Sequence, residues 1–145
     1  MEIRTAVLQD LPALSELACR LWPGHTEKQM MEEYAVLMNS ADAVFALALD
    51  GEKPVGFVQC QLRRDYVEGT ETSPVGYLEG IYVLESARNQ GVARALLRCC
   101  EHWAVEHGCS EFASDCELDN HDSLAWHLKA GFEEVNRTIW FAKKL

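Results

Sequence analysis

Apolar residues recur along the chain at two spacings, which predicts a mixture of helices and strands. Leucines repeat at helical spacing over residues 11–21, directly after Asp10, which we expect to cap that helix. Thr26 and Gln29 have the three-residue spacing of a capping box, which predicts a second helix that runs toward Asn39. Two helices therefore come early in the chain.

Short apolar runs bounded by turn residues predict the strands. The predicted strands cover residues 2–7, 44–49, 55–64, 77–84 and 111–116, with a final strand region at 132–143. Later helices are predicted at residues 92–107, where Gly108 ends the helix, and at 122–130. This order, β-α-α-β-β-β-α-β-α-β, predicts an α+β (α/β) domain built on one mixed sheet.

The composition indicates one acidic domain. The 145 residues are 48% hydrophobic and carry a formal net charge of −10, and no apolar run reaches the length of a membrane span. The charged first residues do not resemble a signal peptide, so we expect a soluble cytoplasmic protein. The charge disfavours nucleic acid and favours a cationic ligand. The six cysteines form no CxxC pair, so we expect free thiols and no metal.

The stretch ARNQGVAR at residues 87–94 joins the predicted strand 77–84 to the next helix. A phosphate-binding P-loop would need GxxxxGK[ST], and a dinucleotide site would need GxGxxG, and neither is present. Two interpretations stay open on these residues alone. The stretch is either an ordinary helix start or a cradle of free N–H groups that binds a pyrophosphate at the helix N-terminus.

The wider run YLEGIYVLESARNQGVARALL resembles the central motif of the GNAT superfamily of acetyl-CoA-dependent N-acetyltransferases. Arg88, Gly91 and Ala93 match the family's Arg/Gln-x-x-Gly-x-Gly/Ala pattern. Downstream, NHDSLAWHLKAGF is similar to the family's second motif. The resemblance implies a GNAT fold in a single domain over residues 1–145, with a mixed sheet of six to seven strands and about four helices.

The resemblance also implies where acetyl-CoA would bind. Ile81 and Val83 would offer backbone groups to the pantetheine arm, and Asn120 would meet the pantetheine or its thiol end. Arg88 belongs to the cofactor motif, and the N–H of Val83 would stabilise the oxyanion that develops on the thioester. The pyrophosphate would be bound by the N–H groups of Gln90, Gly91, Val92, Ala93 and Arg94.

One position departs from the family pattern. GNAT enzymes usually place a tyrosine four residues before the glycine of the second motif, where it protonates the departing thiolate. This chain has His127 there. An imidazole can also donate a proton, but its charge state varies near neutral pH, so His127 is a candidate general acid and equally a half-buried helix residue.

The stretches LWPGH, RRDYVEG, SPVGYLEGIYVL and ASDCELDN resemble one branch of the superfamily, the bacterial aminoglycoside 6′-N-acetyltransferases, which confer antibiotic resistance. The resemblance implies that Trp22, His25 and Tyr66 line a site for a cationic aminoglycoside. Members of this branch are often homodimers. The resemblance therefore implies a homodimer, and the final strand region is a candidate for pairing across subunits.

Acetylation requires a neutral amine, but a primary amine is mostly ammonium at pH 7, so a base must remove a proton. We expect Asp115 to be that base, directly or through water, and Glu79 to bind and orient the amine, with the reverse assignment left open. The acetyl group would pass directly to the amine in a ternary complex. Two alternatives remain: a GNAT enzyme for another amine, such as a polyamine or a protein lysine, and a non-catalytic CoA-binding module.

Overall fold

The computed structural model describes all 145 residues and contains a five-stranded mixed sheet with four helices. The strands are β1 (Glu2–Thr5), β2 (Ala43–Asp50), β3 (Lys53–Arg63), β4 (Val75–Val83) and β5 (Phe112–Ser114). The helices are α1 (Leu11–Leu21), α2 (Glu27–Met38), α3 (Val92–Glu106) and α4 (His121–Lys129). The strands lie in chain order, antiparallel except for the parallel β4–β5 pair. The predicted α+β class with a mixed sheet is confirmed.

The sheet is covered on both faces. Helices α1 and α2 pack on one face against side chains such as Phe45 and Phe57, and α3 packs on the other against Val58 and Cys60. We call the first the α1–α2 face and the second the α3 face. Because successive side chains of a strand point to opposite faces, the central strands carry apolar side chains toward both layers of helices. None of the four helices has the length and apolar composition needed to cross a bilayer.

Local sequence signals give mixed results at the helix ends. The capping box before α2 is confirmed, since the Thr26 N–H donates to Gln29 Oε1 at 2.9 Å and the Gln29 N–H donates to Thr26 Oγ1 at 3.1 Å. Gly108 follows α3 with φ +84°, as expected for a left-handed stop. Asp10 does not cap α1. Its carboxylate instead accepts hydrogen bonds from Arg4 at 2.7 and 2.9 Å and from the Val7 N–H at 2.8 Å.

The predicted final strand at 132–143 is wrong, because a single copy of the chain forms no strand there. The sheet therefore has five strands instead of six to seven. Residues 132–145 form no helix or strand. The segment is largely exposed and contains large apolar side chains, with Ile139 at 72% and Trp140 and Phe141 each at 90% exposure. A strand needs a hydrogen-bonding neighbour, and this segment pairs with none of the five strands of its own chain.

Candidate active site

The turn between β4 and α3 presents a row of free backbone donors. Asn89 has φ 61° and Gly91 has φ 78°, and these left-handed residues turn the chain into the first turn of α3. None of the N–H groups from Asn89 to Arg94 donates a hydrogen bond to another group of the protein. Space beside Gly91 is open, since an added Cβ would have no atom within 4 Å. Free N–H groups at a helix N-terminus are suited to a pyrophosphate.

Arg88 ties this turn to the preceding strand. Its Nε donates to the Val83 carbonyl at 2.9 Å, and its guanidinium lies 5.6 Å from the centre of the Tyr82 ring. Val92 is buried and packs in the core on the α3 face, so it can offer a ligand only its backbone. The predicted cofactor residues from Arg88 to Arg94 are therefore brought together at one helix end.

Strands β4 and β5 part at the edge of the sheet, where β5 is the last strand. They pair only at Gly76–Phe112, Tyr77–Ala113 and Leu78–Ser114, whereas β4 continues to Val83. The stretch from Glu79 to Val83, which contains Ile81, therefore has no strand beside it on that edge. An extended chain that carries amide groups could add to this edge as a further strand would. The opening leads to the N–H row at the start of α3.

A cleft of about 230 Å³ lies on the α1–α2 face beside this opening. It is lined by Trp22, His25, Met30, Glu33, Tyr34, Gln59, Gln61 and Glu79. Trp22 packs directly on the strand backbone, because a Cβ added at Gly80 would stand 2.5 Å from Trp22 Cη2. Tyr66 is not among the lining residues and is 75% exposed in the loop after β3.

Glu79 occupies an irregular position in β4. Leu78 pairs with Cys60 and Gly80 pairs with Gln59, so Glu79 is an extra residue, as in a β-bulge. Its carboxylate receives two hydrogen bonds from Arg63, from Nε at 2.9 Å and from Nη2 at 2.8 Å. The bulge therefore places Glu79 within reach of the end of β3.

A chain of polar contacts links Glu79 to Asp115. The Arg63 guanidinium lies 3.4 Å from the centre of the Tyr77 ring, and the Tyr77 hydroxyl donates to Asp115 Oδ2. Burial and the hydrogen bond to the Asp115 carboxylate raise the pKa of Tyr77. Asp115 Oδ1 has no partner in the protein. The two predicted catalytic carboxylates thus share one network on the α1–α2 face.

His127 lies behind the opening and contacts β5. Its Nδ1 is 2.7 Å from the Ser123 carbonyl oxygen, and its Nε2 is 2.7 Å from Ser114 Oγ. A carbonyl oxygen can only accept, so Nδ1 carries a hydrogen. In the neutral imidazole, Nε2 then accepts from the Ser114 hydroxyl, and in the imidazolium it donates to Ser114. Ser114 is also the last residue of β5 that pairs with β4.

Asn120 has a structural role at the start of α4. Its side-chain oxygen accepts a hydrogen bond from the Ser123 N–H at 3.1 Å and caps the helix. The side-chain amide nitrogen remains free to donate. The side-chain oxygen of Asn120 is therefore engaged by α4, the helix that carries His127.

Comparisons with known proteins identify the family of this chain. The model of the acetyltransferase (GNAT) family matches residues 11–132. The chain belongs to this family. It is 41% identical to an aminoglycoside N(6′)-acetyltransferase type 1 of Acinetobacter haemolyticus over 145 residues, which cover 100% of this chain and 99% of that protein.

Solved structures of N-acetyltransferases have the same fold as this chain. The apo crystal structure of the 6′-N-acetyltransferase AAC(6′)-IG from Acinetobacter haemolyticus has a TM-score of 0.94, with 41% identity over 100% of this chain and 99% of that one. AAC(6′)-Iy, solved with the bisubstrate analogue CoA-S-monomethyl-acetylneamine, has a TM-score of 0.93, with 34% identity over 99% of this chain and 98% of that one. As a GNAT enzyme, this chain uses acetyl-CoA as its co-substrate, and the free N–H row at α3 fits the pyrophosphate of that molecule.

The sequence pattern did not single out several polar residues of the candidate site. Gln59, Gln61 and Arg63 alternate along β3 on the α1–α2 face, and Gln59 is only 5% exposed. Two glutamines at a spacing of two in an apolar strand were a usable signal, because a buried amide needs partners and therefore marks a polar site. Ser114 had no such signal, since its contact with His127 depends on how α4 packs.

A larger cleft of about 680 Å³ lies elsewhere, between α1 and the ends of β3 and β4. Glu16, Arg20, Lys53 and Glu85 line it together with apolar residues. Two acidic and two basic side chains line it, so their charges balance, and it contains none of the predicted site residues. The smaller cleft beside Glu79 is therefore the candidate substrate site.

Proposed function

We propose that this protein transfers the acetyl group of acetyl-CoA to the 6′-amino group of aminoglycoside antibiotics and thereby confers resistance. The observation that carries the proposal is the cleft that Trp22, Glu33 and Glu79 line, directly beside the opening between β4 and β5. A carboxylate-lined cleft favours a polycation. Relatives that match the whole chain carry the same activity in their names.

We propose that both substrates are bound together and that the transfer is direct. Acetyl-CoA supplies an activated acetyl group. Ile81 and Val83 offer backbone groups to its pantetheine arm, the Val83 N–H lies toward the thioester oxygen, and the donors of the α3 turn hold the pyrophosphate. The cleft on the α1–α2 face holds the amine against the same opening. Proximity of the two substrates then provides much of the rate enhancement.

Asp115 is the general base of the proposed reaction, and Glu79 orients the amine. Asp115 keeps one carboxylate oxygen without a protein partner, whereas both oxygens of Glu79 are held by Arg63. This difference favours Asp115 as the group that accepts the ammonium proton, directly or through water. Trp22 and His25 line the cleft and contribute an aromatic face and a polar ring to sugar binding.

His127 and Ser114 supply the proton that the leaving thiol needs. As the amine nitrogen bonds to the acetyl carbon, it releases its remaining excess proton to solvent water, while the C–S bond breaks and its electron pair remains on sulfur. Ser114 donates its hydroxyl proton to that sulfur and is reprotonated by the Nε2–H of the His127 imidazolium, across the 2.7 Å contact. Ser114→Ala should lower kcat by about tenfold or more with little change in either KM. A change in KM alone would argue against this proton path.

The test of the function is an acetylation assay with kanamycin and tobramycin, with the product located by NMR. We expect release of CoA and a 6′-N-acetyl product. Asp115→Asn should reduce kcat strongly while KM for the drug changes little. Asp50→Asn, at the exposed last residue of β2, is the matched control and should keep wild-type kinetics.

Several outcomes would overturn the proposal. An absence of turnover with every 6′-amino aminoglycoside, together with acetylation of a polyamine or a protein lysine, would assign the cleft to another amine. Acetyl-CoA binding without turnover on any amine would indicate a non-catalytic module. Loss confined to KM in Asp115→Asn would reduce Asp115 to a substrate-binding residue.

We also propose a cytoplasmic homodimer in which residues 132–145 pack against a second copy. The support is the exposed apolar segment itself, whose Val135, Ile139, Trp140 and Phe141 are between 59% and 90% exposed. Such a segment favours burial in an interface. Sedimentation of the full chain should give a dimer, and Trp140→Glu with Phe141→Glu should shift it to monomer. A wild-type monomer at micromolar concentration would overturn this part.

A further inference from the structure

Arg63 is the only basic side chain in the polar network of the candidate site. It is the last residue of β3, and its guanidinium forms both hydrogen bonds to Glu79. The Glu79 side chain is 18% exposed, whereas the Arg63 side chain is 43% exposed. The same guanidinium covers the ring of Tyr77, which donates to Asp115. One cation therefore lies between the two carboxylates that the reaction uses.

The position of this cation conflicts with binding of a polycation. An ammonium group that approaches Glu79 meets a positive charge that already satisfies both oxygens, and like charges at this distance repel. An uncompensated Glu79 in this partly buried bulge would in turn be unfavourable, so some cation must be present. Arg63 meets that need when no substrate is bound.

We propose that Arg63 is a displaceable counter-ion, which holds Glu79 until an ammonium group of the substrate takes its place. The inference rests on the proposed function, because it assumes a polycationic substrate. Displacement requires no backbone movement, since the exposed guanidinium at the end of β3 can turn into solvent. The two-bond geometry makes this pair stronger than an ordinary surface ion pair, so only a cation that brings further contacts with it replaces Arg63.

Displacement also provides selectivity. A monoamine would exchange one ion pair with Glu79 for another and gain little. A substrate with several ammonium groups reaches further carboxylates, such as Glu33 in the cleft, while it replaces Arg63. The counter-ion therefore raises the number of positive charges that a ligand needs for tight binding.

The test compares two adjacent arginines. Arg63→Gln removes the counter-ion, and Arg64→Gln is the matched control, because Arg64 pairs with Asp42 at the surface. Both variants change the net charge by the same amount. We expect Arg63→Gln to tighten kanamycin binding about threefold or more in titration calorimetry, with Arg64→Gln within about twofold of wild type. Arg63→Met, which keeps the packing on Tyr77, should behave like Arg63→Gln.

The outcomes separate the possibilities. Weaker kanamycin binding in Arg63→Gln and Arg63→Met, with unchanged unfolding midpoints, would mean that Arg63 organises Glu79 for the substrate and would overturn the inference. Equal tightening in Arg63→Gln and Arg64→Gln would indicate a general charge effect and would also overturn it. If the wild-type protein acetylates kanamycin while the variants give either of these results, the proposed function stands and only the counter-ion role is overturned. Wild-type protein that neither binds nor acetylates aminoglycosides overturns both.

Discussion

Gly91 combines an unusual backbone conformation with an open approach to the donor row of α3. Its φ of +78° is disfavoured for a β-branched residue, and a side chain would enter the open space where the pyrophosphate is expected. Gly91→Val should therefore raise KM for acetyl-CoA far more than KM for the aminoglycoside. Steady-state kinetics with each substrate varied in turn measures the difference.

Gly51 provides the control for this change. It also has a left-handed φ, of +62°, with open space around it, but it lies in the turn between β2 and β3. Gly51→Val should introduce similar backbone strain, of about 1–3 kcal/mol, without a specific effect on acetyl-CoA. Equal increases in both KM values for Gly91→Val would indicate general damage and contradict the cradle.

Backbone geometry was predictable where a short motif fixes it. The free donors around Gly91 and the turn into α3 follow from local sequence, and the structure has them. The engagement of Glu79 by Arg63 did not follow, because it depends on a bulge that shifts the register between β3 and β4. Ser114 was missed for a similar reason, since its partner His127 comes from a separate helix.

At the level of elements, the end of α1 is pressed against the backbone of β4. A Cβ at Gly80 would lie 2.5 Å from Trp22 and 3.1 Å from Leu21, so Gly80→Ala must move the rigid indole. Overpacking of this kind costs about 1–3 kcal/mol. If Trp22 forms a wall of the drug site, KM for the aminoglycoside should rise about fivefold or more while KM for acetyl-CoA stays near the wild-type value.

Gly24→Ala serves as the comparison for this prediction. Gly24 is two residues from Trp22, but an added Cβ there would meet nothing within 4 Å. We expect wild-type kinetics from it. An unchanged aminoglycoside KM in Gly80→Ala, with the variant folded, would remove Trp22 from the substrate site.

The link between β1 and α1 has a pH-dependent contribution to stability. The hydrogen bonds from Arg4 lower the pKa of Asp10 below its ordinary value, and the Val7 N–H contributes in the same direction. A carboxyl whose pKa is lower in the folded state stabilises the fold above its unfolded-state pKa of about 4, and the stabilisation is lost as pH falls through the lower folded-state value. Asp10→Asn should therefore lower the midpoint of thermal unfolding at pH 7.

The difference between Asp10→Asn and wild type should shrink as the pH is lowered below 4, and calorimetric scans between about pH 7 and pH 2 follow it. Asp50→Asn, at the exposed end of β2, should show no such trend. A constant difference in unfolding midpoint at every pH would mean that Asp10 acts through packing instead of charge.

The sequence predicted helix and strand ends correctly when the two residues that interact there are close in the chain. Thr26 and Gln29 are three residues apart, and their capping box forms as predicted. Asp10 is of a residue type that often caps helices, but its carboxylate accepts hydrogen bonds from Arg4 of β1 instead. No local sequence pattern reveals that contact. The final strand at 132–143 failed because a strand pattern indicates apolar residues that need a partner but does not say which chain supplies it.

At the scale of the whole molecule, the net charge of −10 acts on the two substrates with opposite sign. It attracts a polycationic aminoglycoside and repels the anionic acetyl-CoA, and salt screens both effects. Between about 50 and 500 mM salt, KM for the aminoglycoside should therefore rise about fivefold or more, whereas KM for acetyl-CoA should stay level or fall. Initial rates at each ionic strength, with the second substrate saturating, test this divergence. Parallel increases in both KM values would mean that salt inhibits the enzyme generally and that binding of the cationic drug depends on local contacts instead of the acidic surface.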